Sequence, residues 1–195
     1  MNHMLLITQR ISALFLIVLT TPIMLCGFLV SAWFTKSPLF VQTRVGKHFT
    51  KFELYKIRTL PKNTPNIASH DLPINATWSS LEFLRKRKID ELPQLVNILL
   101  GDLNFVGYRP CLETQISLIA HRKSFGIHFD KPGITGISQL YGVTMRRPYL
   151  QAKIDSYMSN MSLSARVCIL ILTVIVVVRG KRLRRFPRGI NFFRR

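Results

Sequence analysis

The sequence has 195 residues, with 28 Lys and Arg against nine Asp and Glu and a formal net charge of +19. This length accommodates one soluble domain of ordinary size and a membrane segment, whereas two soluble domains would be cramped. Because 48% of the residues are hydrophobic, the composition excludes a disordered basic tail protein. The charge predicts a partner with many negative charges, which is nucleic acid, anionic lipid or a phosphorylated substrate. The three cysteines are widely spaced and form no C-x-x-C pair, so they indicate neither a disulfide framework nor a zinc site.

The first predicted element is an apolar stretch of 24 residues, 11–34, that contains no charged side chain. Roughly 20 apolar residues suffice to cross a bilayer, and the stretch exceeds the apolar region of a signal peptide, so a cleaved signal is the weaker interpretation. Pro22 removes a backbone donor at its centre and predicts a kink. Two structures are compatible with such a kink. One is a bent helix that crosses the membrane, and the other is a helical hairpin that enters and leaves on one face. The basic residues from Lys36 onward predict that the main domain is cytoplasmic.

Short alternating runs between residues 37 and 60, separated by GKH, predict a β-hairpin, and the proline- and asparagine-rich residues 61–75 predict a loop. The stretch SSLEFLRKRK resembles a helix with Leu81 and Leu84 facing inward. In ELPQLVNILLGD the apolar spacing predicts an amphipathic helix that ends at Gly101. Pro93 is tolerated only in a first turn, so the helix should start near Asp90, which would be its N-cap.

Toward the C-terminus, a helix is predicted from Leu112 to Ser124. The stretch KPGITG, residues 131–136, is predicted as a loop whose glycines allow close approach of two backbones. The uncharged run 167–178 is too short for a comfortable span and favours a helix in the membrane interface or packed on the first helix, with a second transmembrane span as the alternative. From Arg179 the chain has eight Lys or Arg and no acid, which an anionic leaflet would attract.

These elements predict an α+β protein that is mostly helical, with a short β-hairpin. Three regions follow: a membrane helix over residues 1–36, a domain over 37–178 that includes the interfacial C-terminal helix, and a basic tail over 179–195.

The adjacent acids Asp90 and Glu91 are conspicuous in a chain with so few acids. A basic pocket that holds carboxylates suits phosphoryl transfer, in which Mg²⁺ needs oxygen ligands and phosphates need cationic partners. Scattered acids in a basic chain are more often solvated surface than catalytic groups. The doublet is more specific, because the free N–H groups and positive dipole end of a helix start would keep Asp90 ionised and would also attract a phosphate.

The segments LRKRKIDELPQLVNILLGDLNFVGYRP, KPGITGISQLYG and FVQTRVGKHFTKFELYKIRTL resemble the bacterial sugar transferases. These are small monotopic polyprenyl-phosphate phosphoglycosyl transferases that begin glycan assembly on a lipid carrier. The resemblance extends from about Arg10 to about Val178. It implies that the N-terminal helix is re-entrant and broken at a pair such as Thr21-Pro22.

The resemblance also implies a reaction, in which a UDP-sugar gives its phosphosugar to polyprenyl (undecaprenyl) phosphate. The setting would be the cytoplasmic face of a bacterial inner membrane, in synthesis of capsule, O-antigen, exopolysaccharide or glycoprotein glycan, with downstream glycosyltransferases as possible partners. Asp90 would be the covalent nucleophile, and Glu91 would assist through Mg²⁺ or as an acid-base group. The two carboxylates are the candidate metal ligands. The candidate phosphate-binding residues are Lys56, Arg58, Arg85, Arg109 and Lys131, and Asp155 matches a further acid of the family.

The chain departs from the family pattern in four places. Ala13 stands at a usual Asp, an S-P-G-P loop is shortened to Ser37-Pro38-Leu39, Tyr108 replaces a proline in G-P-R-P, and Tyr141-Gly142-Val143 replaces N-G-R. These departures are compatible with an alternative function, in which the chain is a catalytically impaired homologue that acts as a membrane-bound interaction module. The interpretation as a nucleic-acid-binding protein would rest on charge alone, because the sequence has no base-reading motif. No nucleic-acid partner is therefore expected.

Overall fold

A computed structural model describes residues 3–62, 64, 79–127 and 130–183 of the chain. They group into two compact units, one of Met1–Thr43 with Phe52–Asp102, and the other of Arg44–Lys51 with Leu103–Arg195. Most of the loop predicted over 61–75, and residues 184–195 of the predicted basic tail, lie outside the described residues.

The first unit begins with helix α1, His3–Thr35, which contains Pro22 and stays helical throughout. Its apolar composition and length are sufficient to cross a membrane. The Thr20 and Thr21 hydroxyls each donate to the carbonyl four residues earlier, at 2.7 Å. Large apolar side chains are exposed along most of the helix: Met4, Ile7, Ile11, Leu14, Phe15, Val18, Leu19, Ile23, Leu25, Leu29, Val30 and Trp33. A surface of this kind is typical of a helix that contacts lipid.

The predicted hairpin is confirmed. Strands β1, Leu39–Val45, and β2, Lys51–Ile57, pair with each other, and a short 3-10 turn at Lys47–Phe49 joins them. The Gly46 N–H donates to the Thr50 carbonyl at 2.7 Å and closes the connection.

Two short helices follow the hairpin in the first unit, α2 at Ser79–Lys86 and α3 at Gln94–Leu100. Leu81 and Leu84 are buried against Ile57, as their spacing predicts. Gly101 ends α3 with a φ of 95°, and its N–H donates to the carbonyls of Asn97 and Ile98. A residue without Cβ adopts this left-handed conformation readily, so the predicted end of the helix is confirmed.

Helix α1 packs on this part of the unit through small residues. Ala13 is fully buried, and the Arg10 guanidinium donates to the Leu100 carbonyl at the end of α3 at 3.3 Å. Near the other end of α1, a Cβ on Gly27 would lie 2.8 Å from Cδ1 of Ile57, so a side chain there would have to displace that of Ile57. The small residues therefore allow α1 to approach α3 and β2 closely.

The second unit is built on two short parallel strands, β3 at Asn104–Val106 and β4 at Gly133–Thr135, with Asn104 opposite Gly133 and Val106 opposite Thr135. Four helices accompany them: α4 at Ile116–Ser124, α5 at Ile137–Tyr141, α6 at Pro148–Ser159 and α7 at Leu163–Arg179. Helix α4 starts later than predicted because the Leu112 N–H donates to the Gln115 side chain at 2.9 Å, in a turn that precedes the helix.

The prediction of a loop over KPGITG is wrong for its central residues, which form β4. The predicted close backbone approach is the reason. Gly133 donates its N–H to the Tyr108 carbonyl and Gly107 donates to the Thr135 carbonyl, both at 2.9 Å. Two glycines facing each other allow the strands to pair where side chains would separate them.

The core of the second unit lies between this sheet and the helices. Its buried members are Val106, Ile137, Leu140, Ile154, Met158 and Ile169. The Thr173 hydroxyl lies 2.8 Å from the Thr135 hydroxyl and ties α7 to β4. The opposite side of α7 exposes an apolar stripe at a spacing of three or four residues: Leu163, Val167, Ile171, Val174 and Val178. Helix α7 is therefore apolar on two sides, and only one of them faces the core of its unit.

Gly133→Ala is expected to lower the free energy of unfolding by about 2–3 kcal/mol, because over-packed positions without room to relax cost this much. The added Cβ would lie 2.1 Å from the backbone nitrogen of Gly107. Thermal unfolding in detergent checks the effect. Gly126→Ala is the matched control, because Gly126 has a φ of 72° and open space around it, so only the cost of about 1 kcal/mol for the left-handed conformation should appear. Equal losses in the two variants would contradict a cost due to crowding.

Candidate active site

The Asp90-Glu91 doublet lies in a 3-10 turn, Ile89–Glu91, between α2 and α3. The turn follows Lys88, whose φ of 59° is left-handed, and Glu91 N–H donates to the Lys88 carbonyl at 3.1 Å. The prediction that Asp90 is the N-cap of the following helix is wrong, because α3 begins only at Gln94 and Pro93 occupies the cap position without a side-chain bond. The tight turn places the doublet before the helix rather than on its first turn.

Asp90 is a buried carboxylate, 8% exposed, whose Oδ1 atom accepts no hydrogen bond from the described residues. Burial, reinforced by the neighbouring Glu91 charge, raises the pKa of Asp90 from 3.8 to about 6, while Lys56, Lys88 and Arg85 act in the opposite direction. At neutral pH the group is still mostly ionised, by about ten to one. The three cations partly offset the effect of burial, so the carboxylate stays mostly ionised at neutral pH although it does not cap a helix.

Glu91 is held by two ammonium groups. Its Oε1 atom lies 3.3 Å from Nζ of Lys56 and 3.1 Å from Nζ of Lys88. The Lys56 and Glu91 side chains are only 14% and 13% exposed, so the attraction between them is weakly screened by solvent. The structure thus brings together four of the predicted site residues within the first unit: Asp90, Glu91, Lys56 and, through its charge, Arg85.

Two residues near this cluster were missed from the sequence. Lys88 lies directly before the turn. Its position three residues before Glu91 could have predicted the ion pair, since a Lys and a Glu at this spacing pair readily in a turn. Asn97 is fully buried and acts on β2: its Oδ1 accepts from the Tyr55 N–H at 3.2 Å, and its Nδ2 donates to the Glu53 carbonyl at 2.6 Å. The Asn97 side chain thereby forms two backbone hydrogen bonds of the kind that a neighbouring strand would form, and it orients the β2 backbone that carries Lys56.

Arg58 is engaged with the protein itself. Its guanidinium donates to the Ser37 carbonyl at 2.8 Å and to the Leu39 carbonyl at 3.3 Å, and it lies 5.1 Å from the centre of the Phe40 ring. These contacts hold the start of β1 against the end of β2. They are the contacts of a structural arginine, and a bound phosphate would have to share the guanidinium with them.

The other three predicted residues belong to the second unit. Arg109 and Lys131 are half-buried, on the loops that follow β3 and precede β4. Asp155 is fully buried on α6 and ion-paired: its Oδ2 accepts from Arg122 at 3.0 and 2.6 Å, and its Oδ1 accepts from the Ser138 hydroxyl at 3.1 Å. With both oxygens engaged, Asp155 has the surroundings of a residue that orients its neighbours.

The doublet offers carboxylate oxygens, the kind of ligand that Mg²⁺ prefers. Asp90 has a buried oxygen that accepts no hydrogen bond from the described residues, and Glu91 is its neighbour in the chain. No group of three or more His, Cys, Asp and Glu side chains lies together in the part of the chain that the structure describes. Mg²⁺ commonly takes one or two carboxylates and completes its shell with water and substrate phosphates, so the residues present fit it.

Comparison with known proteins identifies relatives of this chain. Residues 3–180 match the family described as bacterial sugar transferase. The chain is 36% identical over 168 residues to the uncharacterized sugar transferase EpsL of Bacillus subtilis, covering 84% of this chain and 81% of that protein. It is 31% identical over 176 residues to the UDP-glucose:undecaprenyl-phosphate glucose-1-phosphate transferase of Caulobacter vibrioides, covering 84% of this chain and 66% of that protein.

A third relative is the UDP-N-acetylgalactosamine-undecaprenyl-phosphate N-acetylgalactosaminephosphotransferase of Aeromonas hydrophila. It is 30% identical over 180 residues, which are 87% of this chain and 42% of the relative, so the chain spans less than half of that protein. The match to the family covers residues of both units described above. The chain therefore belongs to the bacterial sugar transferase family.

Proposed function

We propose that the protein transfers a phosphosugar from a UDP-sugar to polyprenyl phosphate, with undecaprenyl phosphate as the acceptor, and so initiates a lipid-linked glycan. The observation that carries the proposal is the buried Asp90 carboxylate, which has an oxygen that accepts no hydrogen bond within the described ranges and which feels the charges of Lys56, Lys88 and Arg85. Names of relatives that specify a UDP-sugar and undecaprenyl phosphate support the choice of substrates.

In the first half of the reaction, an Asp90 oxygen attacks the phosphorus that carries the sugar. The bond from that phosphorus to the bridging oxygen of the diphosphate breaks, and UMP leaves with the electron pair. The product on the protein is an aspartyl phosphosugar, which is a mixed anhydride. An ionised carboxylate needs no base for this step, and the pKa of about 6 leaves Asp90 ionised at neutral pH.

In the second half, an oxygen of polyprenyl phosphate attacks the same phosphorus and the Asp90 carboxylate leaves. The product is polyprenyl diphosphate sugar, and Asp90 returns to its starting state. Both attacking groups are anions that approach an anionic phosphoryl group, so cations are the main requirement. Lys56, Lys88 and Arg85 supply positive charge here, and Glu91 keeps the two ammonium groups in place.

Mg²⁺, held by Asp90 and Glu91, would supply further positive charge at the diphosphate of the donor. Besides Lys56 and Arg85, we assign Arg109 and Lys131 to phosphate binding. For Arg58 and Asp155 the observed contacts support roles in orienting their neighbours.

The intermediate provides the test of the function. Purified protein is incubated with UDP-sugars labelled at the phosphate next to the sugar, without acceptor, and one UMP per active site should be released while the label stays on the protein. Hydroxylamine should remove the label, because it cleaves acyl phosphates, and the labelled peptide should contain Asp90. Undecaprenyl phosphate should then move the label into lipid. Release of UMP only when both substrates are present, with no labelled protein, would contradict the covalent route.

We further propose that α1 enters the membrane from the cytoplasmic face and returns to it, and that α7 lies in the interface through its exposed stripe. Anionic lipids would bind the basic C-terminal residues. The exposed apolar residues of α1 and the stripe on α7 support membrane contact at both helices.

Cysteine labelling should report residues 2 and 37 on the same, cytoplasmic side if α1 is re-entrant. The single cysteines are placed in a background with Cys26→Ala and Cys168→Ala, because these two native thiols are exposed whereas Cys111 is buried. A cysteine at the exposed position Glu113 is the control for cytoplasmic labelling. Labelling of residues 2 and 37 from opposite sides would replace the hairpin with a helix that crosses the bilayer.

A further inference from the structure

Arg109 is the one residue from Val106 to Leu112 that is not buried. Its side chain is half-buried, and no residue in the described ranges forms a hydrogen bond or ion pair with its guanidinium. The guanidinium is therefore available to an anion, while the loop on either side of it is enclosed by the protein.

The backbone of this loop is fastened by two buried arginines. Arg122, 2% exposed, donates from Nη2 to the carbonyl of Arg109 itself at 2.8 Å. Arg44, 5% exposed, donates from Nη1 to the carbonyl of Pro110 at 3.3 Å. Hydrogen bonds from charged donors are among the stronger ones, so both contacts restrict the loop.

Tyr108 adds the contact that links the loop to two other segments. Its hydroxyl lies 3.1 Å from the Asp130 carbonyl and 3.3 Å from the Gly46 carbonyl, which share its single proton. Its ring lies 4.5 Å from the Cζ atom of Arg122, within the range of a cation–π contact. Burial raises the pKa of Tyr108, so the hydroxyl keeps the proton that it donates.

We propose that Tyr108 is a positioning residue, which holds the Arg109 guanidinium in place for the diphosphate of the nucleotide-sugar donor. The inference rests on the proposed function and deepens it by assigning a residue that the family pattern does not contain. A guanidinium on a fixed loop loses less conformational freedom when it binds a phosphate than one on a mobile loop. Tyr108 thereby provides by side-chain contacts the rigidity that a proline ring would provide at this position.

The test compares Tyr108→Phe, Arg109→Ala and the double variant. Tyr108→Phe removes only the hydroxyl and should raise KM for the UDP-sugar by about 3- to 10-fold with kcat within about 2-fold, because a contact made equally in the ground and transition states affects KM alone. Arg109→Ala should raise KM by more. The double variant should be no worse than Arg109→Ala, because a residue that acts through Arg109 has no effect once Arg109 is gone. Tyr149→Phe is the matched control, since the Tyr149 ring packs at the surface on His121 and Phe125.

Hydrogen exchange of the backbone amides of residues 107–109, 111 and 112 provides a readout that does not depend on turnover. Exchange should be about 3- to 10-fold faster in Tyr108→Phe than in the wild type, and unchanged in Tyr149→Phe. Unchanged exchange in Tyr108→Phe, or a KM effect that adds in full to that of Arg109→Ala, would overturn the positioning role while the transferase function stood. If the wild-type protein neither binds nor turns over any UDP-sugar of a broad panel, the proposed function fails and the assignment of Arg109 fails with it, whatever the exchange data show.

Discussion

Asp90→Asn is expected to stabilise the protein at pH 7 by about 1–3 kcal/mol while turnover falls by at least about a thousand-fold. The stabilisation follows from the raised pKa of Asp90, because the change from 3.8 to about 6 corresponds to a cost of about 3 kcal/mol for burying the ionised group. Asparagine has the same shape without the charge. The loss of turnover follows from the removal of the nucleophile. The carboxylate that makes the wild-type site reactive would therefore also make the protein less stable.

The sign of the pH dependence is fixed by the direction of the shift. The folded protein holds the Asp90 proton more tightly than the unfolded chain, since its pKa is about 6 against 3.8. The stabilising contribution of the protonated group is therefore complete below about pH 3.8 and is lost as the pH rises through about 6. The advantage of Asp90→Asn over the wild type should thus be largest at neutral pH and should shrink as the pH falls below 6.

Thermal or denaturant unfolding at pH 7 and pH 4.5, in the same detergent, measures this difference. Asp130→Asn is the matched control, because Asp130 is half-buried and its backbone carbonyl, not its side chain, accepts the hydrogen bond from Tyr108. That variant should not be stabilised at pH 7. A lower stability of Asp90→Asn at pH 7 would contradict the buried, destabilising carboxylate, and full turnover in this variant would remove Asp90 as the nucleophile.

Asp155→Asn is expected to lower the free energy of unfolding by about 3–5 kcal/mol, because removing one partner of a buried ion pair leaves the other charge uncompensated. The Asp155 and Arg122 side chains are 0% and 3% exposed and meet at 2.6 Å. The amide of asparagine keeps the shape and one acceptor but cannot balance the guanidinium charge.

The effect is measured by denaturant unfolding of Asp155→Asn, Arg122→Gln and the double variant. A coupling between the two substitutions of more than about 1 kcal/mol is expected for residues in contact. Glu113→Gln is the control: Glu113 pairs with Lys51 at 2.7 Å, but the two side chains are 52% and 62% exposed, and exposed pairs contribute about 0–1 kcal/mol. If Asp155→Asn unfolds like the wild type but has lost turnover, the acid acts in the chemistry and not in positioning.

Much of the secondary structure follows from local patterns. The spacing of Leu81 and Leu84 and the glycine that ends α3 act within one or two turns of chain. The apolar run of α1 is longer but contiguous, so the sequence predicts all three features. The strand β4 was missed because its pairing partner β3 lies nearly thirty residues away, and a stretch rich in glycine reads as a loop until that partner is known.

The candidate site likewise has features that the local sequence predicts and contacts that depend on the fold. The Asp90-Glu91 doublet and the basic residues around it were predicted from motifs, whereas the Lys56 and Lys88 contacts with Glu91 required the folded turn. Asn97 and Arg122 were not predicted at all. A polar residue within a helix carries no local sign that its side chain will meet a strand or an acid from another element, since that contact depends on how the elements pack.

By itself, the sequence determined that this protein has a long apolar helix, a basic charge and an acidic doublet in a bacterial sugar transferase pattern, because these are properties of composition, periodicity and contiguous motifs. Only the tertiary structure decided the electrostatic state of the doublet and the partners of Asp155. Burial and distance set the pKa of Asp90 near 6 and pair Asp155 with Arg122, and both quantities depend on groups brought together by folding rather than by adjacency in the chain.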